Sequence, residues 1–444
     1  MKIIIAGGGD IGFYLATLLA KEMHDITLID LRKERVKSIE NSLGIETIHG
    51  DSTSYKILKN ANVENADILI AVTSSESVNI TTSLIGKKLG AKFTIARISN
   101  KEYLIDNQTL DLRDFGIDEL ISPESLAARE VKYILKEPTL TEIFDLEDGK
   151  LTMMGLRLEP NAPIISKTVA QIALQNQDRN FIISAIHRKG EIITPKGSTR
   201  FKPNDYLYFI ASNGGKNKIL ELAGKKPIEI KNVLVIGGSR TGTYIAQRLS
   251  SKYTIKLIEK DKERCNELAL KLPNVQIVNG DCTDINFLEE EGVSSYDAFV
   301  AVTGNSETNI FNCLMARDFG VKKTIAMVEN IGLFDHSQKI GVDTLINKKI
   351  ATANFLFRKI SKGEVVSYLY GIDAEILAFT VQKKSYIKNK QIKDITFPEN
   401  AIVSGVIRNG KGYITLGDFR FQVGDKILVL TSTNNIKKVE AFFK

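Results

Sequence analysis

The hydrophobic positions of the chain follow a pattern that changes along its length. Short, almost continuous apolar runs at residues 3–6, 26–29 and 68–72 are typical of strands buried on both faces of a parallel sheet. Between these runs apolar residues recur at helical spacing, and strands that alternate with helices predict a parallel sheet with right-handed crossovers. Further strands are expected at residues 46–48, 93–97 and 120–121.

The pattern changes near residue 122. Pro123 and Glu124 predict the start of a helix that runs to about Lys136 and ends before Pro138, and residues 139–146 predict a second short helix. From residue 151 the apolar spacing shortens to two residues, which predicts a small α+β module. Its expected strands lie at residues 181–186, 191–194 and 206–210, a helix follows at 218–223, and residues 224–227 form a linker.

The chain contains an internal repeat. The apolar run and glycine turn at residues 2–12 recur at residues 233–242, at an offset of about 230 that four later pairs of segments share. These pairs are residues 26–30 and 255–259, 50–51 and 280–281, 71–73 and 301–303, and 79–80 and 309–310. The small module recurs at an offset of 220, since residues 186–190 match 406–410. We expect the lost ten residues to fall in the connector between sheet and module.

The expected fold class is α/β, with two Rossmann-like doubly wound parallel sheets, each followed by a small α+β domain. A chain of 444 residues is too long for one hydrophobic core, which agrees with this division. The expected segments are sheet domains at 1–122 and 230–346, helical connectors at 123–146 and 347–362, and small domains at 147–223 and 363–444.

Composition narrows the class of protein. Hydrophobic residues make up 43% of the chain, and no apolar run approaches the roughly 18 residues that span a bilayer. The net charge of +7 is dispersed, and no zinc-finger spacing or RNA-binding signature is present, so we expect no nucleic-acid partner. The three cysteines have no metal-type spacing and suit a reducing cytoplasm, so we also expect no metal site.

The segment Gly7-Gly8-Gly9-Asp10-Ile11-Gly12 follows the first strand directly. Gly7 permits a tight turn, Gly9 lets the backbone approach a pyrophosphate, and Gly12 lets the helix pack against the strand. The start of the helix offers free N–H groups and the positive end of its dipole to phosphates. We therefore predict a dinucleotide-binding turn, although a doubly wound domain with an unused site has the same glycines.

Residues after later strands complete the predicted site. Asp30 ends the second strand, where a carboxylate accepts hydrogen bonds from ribose hydroxyls, and Asp51, Thr73 and Arg97 are expected at the same edge of the sheet. The charge of Asp30 disfavours NADP, because two unit charges about 4 Å apart cost roughly 4 kcal/mol at an effective dielectric of 20. Arg32 is close enough in sequence to reduce this repulsion, but we expect it at the start of the next helix, facing solvent.

The second copy differs from the first at three positions. Ser239 replaces Gly9, Arg240 replaces Asp10, and Met327 replaces Arg97, whereas Glu259 keeps the carboxylate of Asp30. We expect two unequal sites, the first preferring a dinucleotide and the second weaker or biased toward a mononucleotide.

These motifs in this order resemble the TrkA family, the peripheral cytoplasmic subunits of bacterial and archaeal Trk potassium uptake systems, built from tandem RCK_N and RCK_C domains. The resemblance implies a ring, expected to be a homotetramer, beneath an integral membrane potassium channel subunit that it gates according to bound NAD(H), ATP or ADP. It also implies a cytoplasmic location on the inner face of the membrane. Carried over by position, the first site comprises Gly7, Gly8, Gly9, Asp10, Ile11, Gly12, Asp30, Asp51, Val72, Thr73 and Arg97, and the second comprises Gly237, Gly238, Ser239, Arg240, Thr241, Glu259, Asp281, Val302 and Thr303.

Two other functions fit a Rossmann-like fold. An NAD-dependent oxidoreductase needs an acid or base beside the nicotinamide; Tyr55 and Lys59 have the spacing of a short-chain dehydrogenase pair but follow the third strand, and Ile285 and Glu289 replace them in the repeat. A redox-sensing DNA regulator needs a recognition helix, which the sequence does not show. We therefore expect no catalytic residues. We expect a switch in which a ligand that binds one ring conformation more tightly shifts the population toward it, and residues 123–146 are expected to link the lobes.

Overall fold

The computed structural model describes the chain outside residues 23, 104–110, 147–148, 213, 331–340, 361–364, 370–373, 399, 433–434 and 444. The expected boundary at 362–363 and the expected domain start at 147 lie outside the described residues.

The strands are β1 (Lys2–Ala6), β2 (Asp25–Asp30), β3 (Glu46–His49), β4 (Ile68–Ala71), β5 (Phe93–Arg97), β6 (Glu119–Ile121), β7 (Glu142–Leu146), β8 (Leu151–Arg157), β9 (Phe181–Arg188), β10 (Glu191–Ile193), β11 (Tyr206–Ala211), β12 (Asn232–Ile236), β13 (Thr254–Glu259), β14 (Val275–Asn279), β15 (Ala298–Ala301), β16 (Lys323–Met327), β17 (Thr344–Ile346), β18 (Val365–Leu369), β19 (Ala374–Thr380), β20 (Ala401–Arg408), β21 (Lys411–Tyr413) and β22 (Lys426–Ser432). The α-helices are α1 (Asp10–Lys21), α2 (Lys33–Leu43), α3 (Tyr55–Asn60), α4 (Glu76–Leu89), α5 (Pro123–Lys136), α6 (Val169–Gln175), α7 (Gly215–Leu222), α8 (Arg240–Leu249), α9 (Lys262–Lys271), α10 (Ile285–Glu290), α11 (Ser306–Asp318), α12 (Lys348–Ile360) and α13 (Ile436–Glu440).

Two six-stranded parallel sheets confirm the expected fold class. Their strand orders are β3-β2-β1-β4-β5-β6 and β14-β13-β12-β15-β16-β17. The central strand β1 is apolar because it is covered on both faces, and Ile3, Ile4 and Ile5 are fully buried. The chain changes its direction across each sheet beside the central strand, and ligands of such sheets bind at that point, beyond the carboxyl ends of the strands.

Each small module is a five-stranded antiparallel sheet, in the order β10-β9-β11-β8-β7 in the first and β18-β19-β22-β20-β21 in the second. Met153 and Tyr208 of the first small sheet share one core with Ile376 and Leu428 of the second. The two modules therefore pack face to face.

The expected second short helix at residues 139–146 is wrong. Glu142–Leu146 form β7, an edge strand that pairs with β8 from Glu142 opposite Gly155 to Leu146 opposite Leu151. A segment of this length makes too few helical hydrogen bonds to be stable alone, whereas pairing with β8 satisfies its backbone. The first connector is therefore a single helix, α5, followed by the first strand of the small module.

The ten-residue contraction is also not where it was expected. Phe93 and Lys323 start β5 and β16 and are 230 positions apart, whereas Glu119 and Thr344 start β6 and β17 and are 225 apart. Half of the contraction therefore lies inside the sheet domain. A further part lies in the small module, where the 3-10 turn Ile392–Asp394 replaces helix α6.

The connector helices pack on opposite halves of the molecule. Helix α5 contacts α8 and buries Val131 and Leu135 in the core of the second large sheet. Helix α12 contacts α1 and buries Leu356 and Phe357 in the core that contains the first large sheet. The two connector helices also contact each other. Each half of the repeat is thus completed by a helix of the other half.

Candidate functional site

The glycine turn after β1 is held by contacts that leave no room for side chains. Gly7 has a φ of +108°, and a Cβ atom there would lie 2.8 Å from the backbone nitrogen of Thr73. A Cβ atom on Gly12 would overlap the carbonyl oxygen of Gly7. Gly237 and Gly242 repeat both contacts in the second half. These glycines therefore bring the strand end, the turn and the start of the helix together.

The third turn position differs from these two. Gly9 has open space where a side chain would lie, so a side chain is tolerated there. Ser239 occupies this position in the second half, accepts a hydrogen bond from the backbone nitrogen of Gly242 and caps α8. The substitution therefore stabilises the helix start, but its side chain stands where the first half leaves space.

Asp30 fixes the turn from the end of the neighbouring strand. The backbone nitrogen of Gly8 donates to Asp30 Oδ2 at 2.7 Å. The main chain and guanidinium of Arg32 donate to the same carboxylate, at 2.9 Å and 3.0 Å to Oδ1. Burial of the carboxylate raises the pKa of Asp30, but the hydrogen bonds from Arg32 and Gly8 lower it by more, so the net shift is downward. Asp30 is therefore held ionised.

The expectation that Arg32 faces solvent is only half right. Arg32 precedes α2, as expected, and its side chain is 61% exposed, but its guanidinium is paired with Asp30. The guanidinium is held there because the backbone N–H of Arg32 also donates to the Asp30 carboxylate, which keeps the side chain nearby.

Glu259 repeats the contact in the second half. Its Oε2 accepts from the backbone nitrogen of Gly238 at 2.6 Å, and its Oε1 accepts from the backbone nitrogen of Asp261 at 2.9 Å. Asp261 stands where the first half has Arg32, so the second carboxylate has no cation at that position.

The ends of β4 and β5 complete the first cleft. The hydroxyl and backbone nitrogen of Thr73 donate to Asn79 Oδ1 at 2.7 Å and 2.8 Å, and the Asn79 amide donates to the carbonyl oxygen of Arg97 at 2.9 Å. The Arg97 guanidinium lies 3.4 Å from the carbonyl oxygen of Thr73. Thr73 also borders Gly7, so turn, threonine and arginine lie together.

The second half keeps this scaffold and loses the cation. Thr303 and Asn309 make the same hydrogen bonds, and Asn309 donates to the carbonyl oxygen of Met327 at 2.9 Å. Met327 is buried. The two clefts therefore share a backbone geometry but differ in charge.

Asp51 and Asp281 follow the third strand of each sheet and are bound mainly to their own loops. Asp51 accepts from the backbone and hydroxyl of Thr53, and Asp281 accepts the same pair from Thr283. The hydrogen bond from Lys260 lowers the pKa of Asp281 to about 2. These carboxylates lie at the edge of each cleft.

The remaining predicted site residues differ in the exposure of their side chains. Asp10 and Arg240 are exposed at the first turn of α1 and α8. The other positions, Ile11, Val72, Thr241 and Val302, have buried side chains, so they can meet a ligand only through their backbone.

Two arginines that the sequence reasoning missed bind the turn. The Nε atom of Arg35 donates to the carbonyl oxygen of Gly8 at 2.6 Å, and Arg264 donates to that of Gly238 at 3.1 Å. The repeat was the available signal, since both arginines lie in the helix after the acidic strand end.

A third cation comes from far along the chain. Lys349, at the start of α12, lies 2.8 Å from Asp10 Oδ2. Its 339-residue separation from Asp10 left no local signal in the sequence.

Among the described residues, no group of three or more histidine, cysteine, aspartate or glutamate side chains is placed to hold a metal ion. No helix in the described part of the chain is both long enough and apolar enough to cross a bilayer.

Each cleft offers backbone N–H groups at a helix start, a carboxylate beside the turn and an arginine bound to the turn. This set suits a phosphorylated ligand that carries a ribose diol. Two such clefts on parallel sheets, each followed by a small antiparallel sheet, define a protein with tandem Rossmann-like domains.

Comparison with known proteins identifies the family. The family model of the TrkA-N domain matches residues 3–123 and 233–348, and that of the TrkA-C domain matches residues 153–224 and 376–444. The Trk system potassium uptake protein TrkA homolog of Archaeoglobus fulgidus is 31% identical over 445 residues, covering 100% of both chains. The Trk system potassium uptake protein TrkA of Haemophilus influenzae is 28% identical over 452 residues, covering 100% of this chain and 99% of its own. The chain belongs to the TrkA family of Trk potassium uptake proteins.

The fold has solved counterparts as well. The structure of the GsuK channel bound to NAD is similar with a TM-score of 0.59 at 18% identity, covering 100% of this chain and 78% of that chain. The GsuK structure bound to ADP has a TM-score of 0.50 at 16% identity and covers 81% of this chain and 69% of that chain. This likeness supports the RCK architecture.

Proposed function

We propose that this chain is the regulatory subunit of a Trk-type potassium uptake system and that nucleotides bound in its two clefts gate an integral membrane channel subunit. Membership of the TrkA family supports the transport system. The NAD and ADP named for the GsuK structures support nucleotides as ligands. The subunit assembles as a ring, a homotetramer, on the cytoplasmic face of the membrane, and it performs no catalysis.

One observation carries the ligand assignment. In both halves a strand-end carboxylate accepts a hydrogen bond from the second glycine of the turn, Asp30 from Gly8 and Glu259 from Gly238. The carboxylate therefore lies beside the glycine turn. In dinucleotide-binding domains a carboxylate at the end of this strand accepts hydrogen bonds from ribose hydroxyls, which supports the proposal. NAD(H) fits the first cleft, where Arg97 adds a cation, and ATP or ADP fits the second.

The first experiment is calorimetric titration of NADH and ATP into the full-length chain and its Asp30→Ala and Glu259→Ala variants. Each variant should weaken binding at its own site by roughly tenfold to a hundredfold, because charge-assisted hydrogen bonds contribute about 1.5–3 kcal/mol. Asp30→Ala should mainly reduce NADH binding, and Glu259→Ala should mainly reduce ATP binding. Interchangeable ligand profiles would contradict the unequal sites.

Asp67→Ala is the matched control. Its carboxylate accepts from the backbone nitrogen of Lys2 at 2.9 Å, so it also holds β1, but at the opposite end of the strand. This variant should keep the affinity of the parent chain for both nucleotides. An equal loss in all three variants would show damage to the sheet and would overturn the assignment.

The second experiment tests the gating role. Rubidium uptake into vesicles that contain the Trk-type membrane subunit should require the chain and respond to NADH or ATP, and Asp30→Ala should reduce the response to NADH. A coupled assay for hydride transfer tests the enzyme alternative, and any steady turnover of NADH by the purified chain would overturn the proposal.

A further inference from the structure

Lys349 reaches across the molecule into the first glycine turn. It is the second residue of α12, a helix of the second half, and its Nζ lies 2.8 Å from Asp10 Oδ2. Asp10 is the first residue of α1, where backbone N–H groups point toward a bound phosphate. The ammonium group is therefore placed at the phosphate end of a cleft built by the other half.

The surroundings of Lys349 hold it in this position. Glu329 follows β16 and pairs with Lys348 Nζ at 2.8 Å and, more distantly, with Lys349 Nζ at 3.5 Å. The side chain of Lys349 is 23% exposed, whereas that of Asp10 is 55% exposed. Lys349 therefore contacts Glu329 as well as Asp10, and Asp10 is the more exposed partner of the pair.

Both groups of the pair are ionised. Burial lowers the pKa of Lys349, but its hydrogen bond and attraction to Asp10 raise it by more. The hydrogen bond from Lys349 is the largest cause that lowers the pKa of Asp10. A phosphate that enters the turn therefore meets a full positive charge and a full negative charge side by side.

The repeat reverses these charges in the second half. Arg240 stands at the position of Asp10, and Glu124 stands in the first turn of α5 at the position of Lys349 in α12. Glu124 is only 6% exposed. Burial raises the pKa of the Tyr244 phenol, and among the smaller effects the charge of Glu124 raises this pKa and that of Arg240 lowers it. In both halves, one of these two positions holds a cation and the other an anion. At the first cleft the connector helix α12 supplies the cation, whereas at the second cleft the connector helix α5 supplies the anion.

We propose that Lys349 is a phosphate-binding residue of the first nucleotide site, supplied by the opposite half, and that Asp10 competes with the ligand phosphate for it. This inference rests on the proposed function. It adds Lys349, which is not among the site residues predicted from the sequence. When phosphate binds Lys349, α12 is tied to the first cleft by the ligand as well as by its apolar face. Ligand occupancy is thereby coupled to the contact between the two halves.

Opposite effects of the two partners follow from competition. Lys349→Met removes the cation and should weaken NADH binding at the first site about tenfold, because it removes a charge-assisted contact to the pyrophosphate. Asp10→Asn removes the competing carboxylate and should strengthen NADH binding by several fold. If Lys349 only ties the halves together, both variants should change the nucleotide affinity in the same direction, because either one breaks the ion pair.

The measurement is calorimetric titration of NADH into the full-length chain carrying Glu259→Ala, so that binding is measured at the first site. Lys349→Arg should restore most of the affinity that Lys349→Met loses. Lys348→Met is the matched control, because it removes the neighbouring lysine, which pairs with Glu329 and not with Asp10. It should change NADH affinity less than twofold.

The outcomes separate this inference from the proposed function. If the Glu259→Ala chain itself does not bind NADH, the nucleotide-site assignment is wrong. If that chain binds NADH, but Lys349→Met leaves its affinity unchanged, or Lys348→Met weakens it equally, or Asp10→Asn weakens it too, Lys349 is not a phosphate ligand.

Discussion

At the scale of single residues, the two clefts differ most in the charges around the carboxylates that end β2 and β13. Arg32 neutralises Asp30 in the first half, and Asp261 takes its place beside Glu259 in the second. The sequence-based expectation that the acidic strand ends disfavour NADP placed the Arg32 side chain in solvent, away from Asp30. Because the guanidinium binds Asp30, we expect the first cleft to repel a 2′-phosphate less than the second.

This difference gives a prediction at the first site. Arg32→Ala leaves Asp30 bound to Gly8 but removes its cation, so NADPH affinity should fall about fivefold while NADH affinity changes little, given the roughly 1 kcal/mol typical of an exposed ion pair. Fluorescence titration of NADH and NADPH measures both. Arg113→Ala is the control, because Arg113 pairs with Asp111 in the same i to i+2 arrangement at another loop. Equal loss of both coenzymes in Arg32→Ala would show that the arginine orders the cleft and does not set selectivity.

At the scale of elements, the contact between α5 and α12 contains a half-buried acid, Glu130. Burial raises the pKa of Glu130 to about 7, although the positive charges of Arg358 on α12 and of Arg129 on α5 itself lower it. Arg129 lies with its guanidinium 5.6 Å from the ring centre of Phe355 of α12. The helix contact that joins the halves therefore contains a group that titrates near neutral pH.

The sign of the resulting pH dependence follows from linkage. The pKa of Glu130 is higher in the folded chain than its ordinary value of 4.5, so folding takes up a proton between these values. The stabilising contribution is complete below pH 4.5 and is lost as the pH rises to about 7. At 1.36 kcal/mol for each unit, the loss is roughly 3 kcal/mol.

Denaturant unfolding between pH 5 and 8 checks this prediction. Stability of the parent chain should fall with rising pH through this range, and Glu130→Gln should flatten the dependence because the amide does not titrate. Glu40→Gln, at an exposed position of α2, serves as the control and should keep the slope of the parent chain. An unchanged slope in Glu130→Gln would assign the pH dependence to other groups.

At the scale of the whole molecule, the halves are interlocked. Each connector helix lies in the core of the opposite half, and the two small sheets share a core. Val131, Ile134 and Leu135 of α5 are buried in the second half, and full burial of such side chains contributes about 1.5–3 kcal/mol each. The covalent linker is therefore not what holds the halves together.

A cleavage experiment tests this interlocking. A protease site inserted between Lys225 and Lys226, in the linker where Lys226 is exposed, should give two fragments that elute as one complex after cleavage. The first fragment made alone should self-associate, because the apolar face of α5 then lacks its partner. Both properties are read by size-exclusion chromatography with light scattering. Separation of the cleaved fragments without denaturant would show that the halves are independent.

The local features of this protein were determined by the sequence itself. Apolar runs, the spacing of glycines and the acidic strand ends act within about 30 residues, so the large sheets and both turns could be predicted from the sequence. The offset of the repeat extended the same prediction to the second half. Residues 139–146 were misassigned because a short segment takes its conformation from its partner strand, β8, and not from its own preference.

Tertiary structure alone decided what depends on distant partners. The exchange of connector helices, the pairing of Lys349 with Asp10 across 339 positions and the raised pKa of Glu130 arise where separate elements meet. Burial and Coulomb interactions depend on distance in space, and folding sets that distance independently of the separation along the chain.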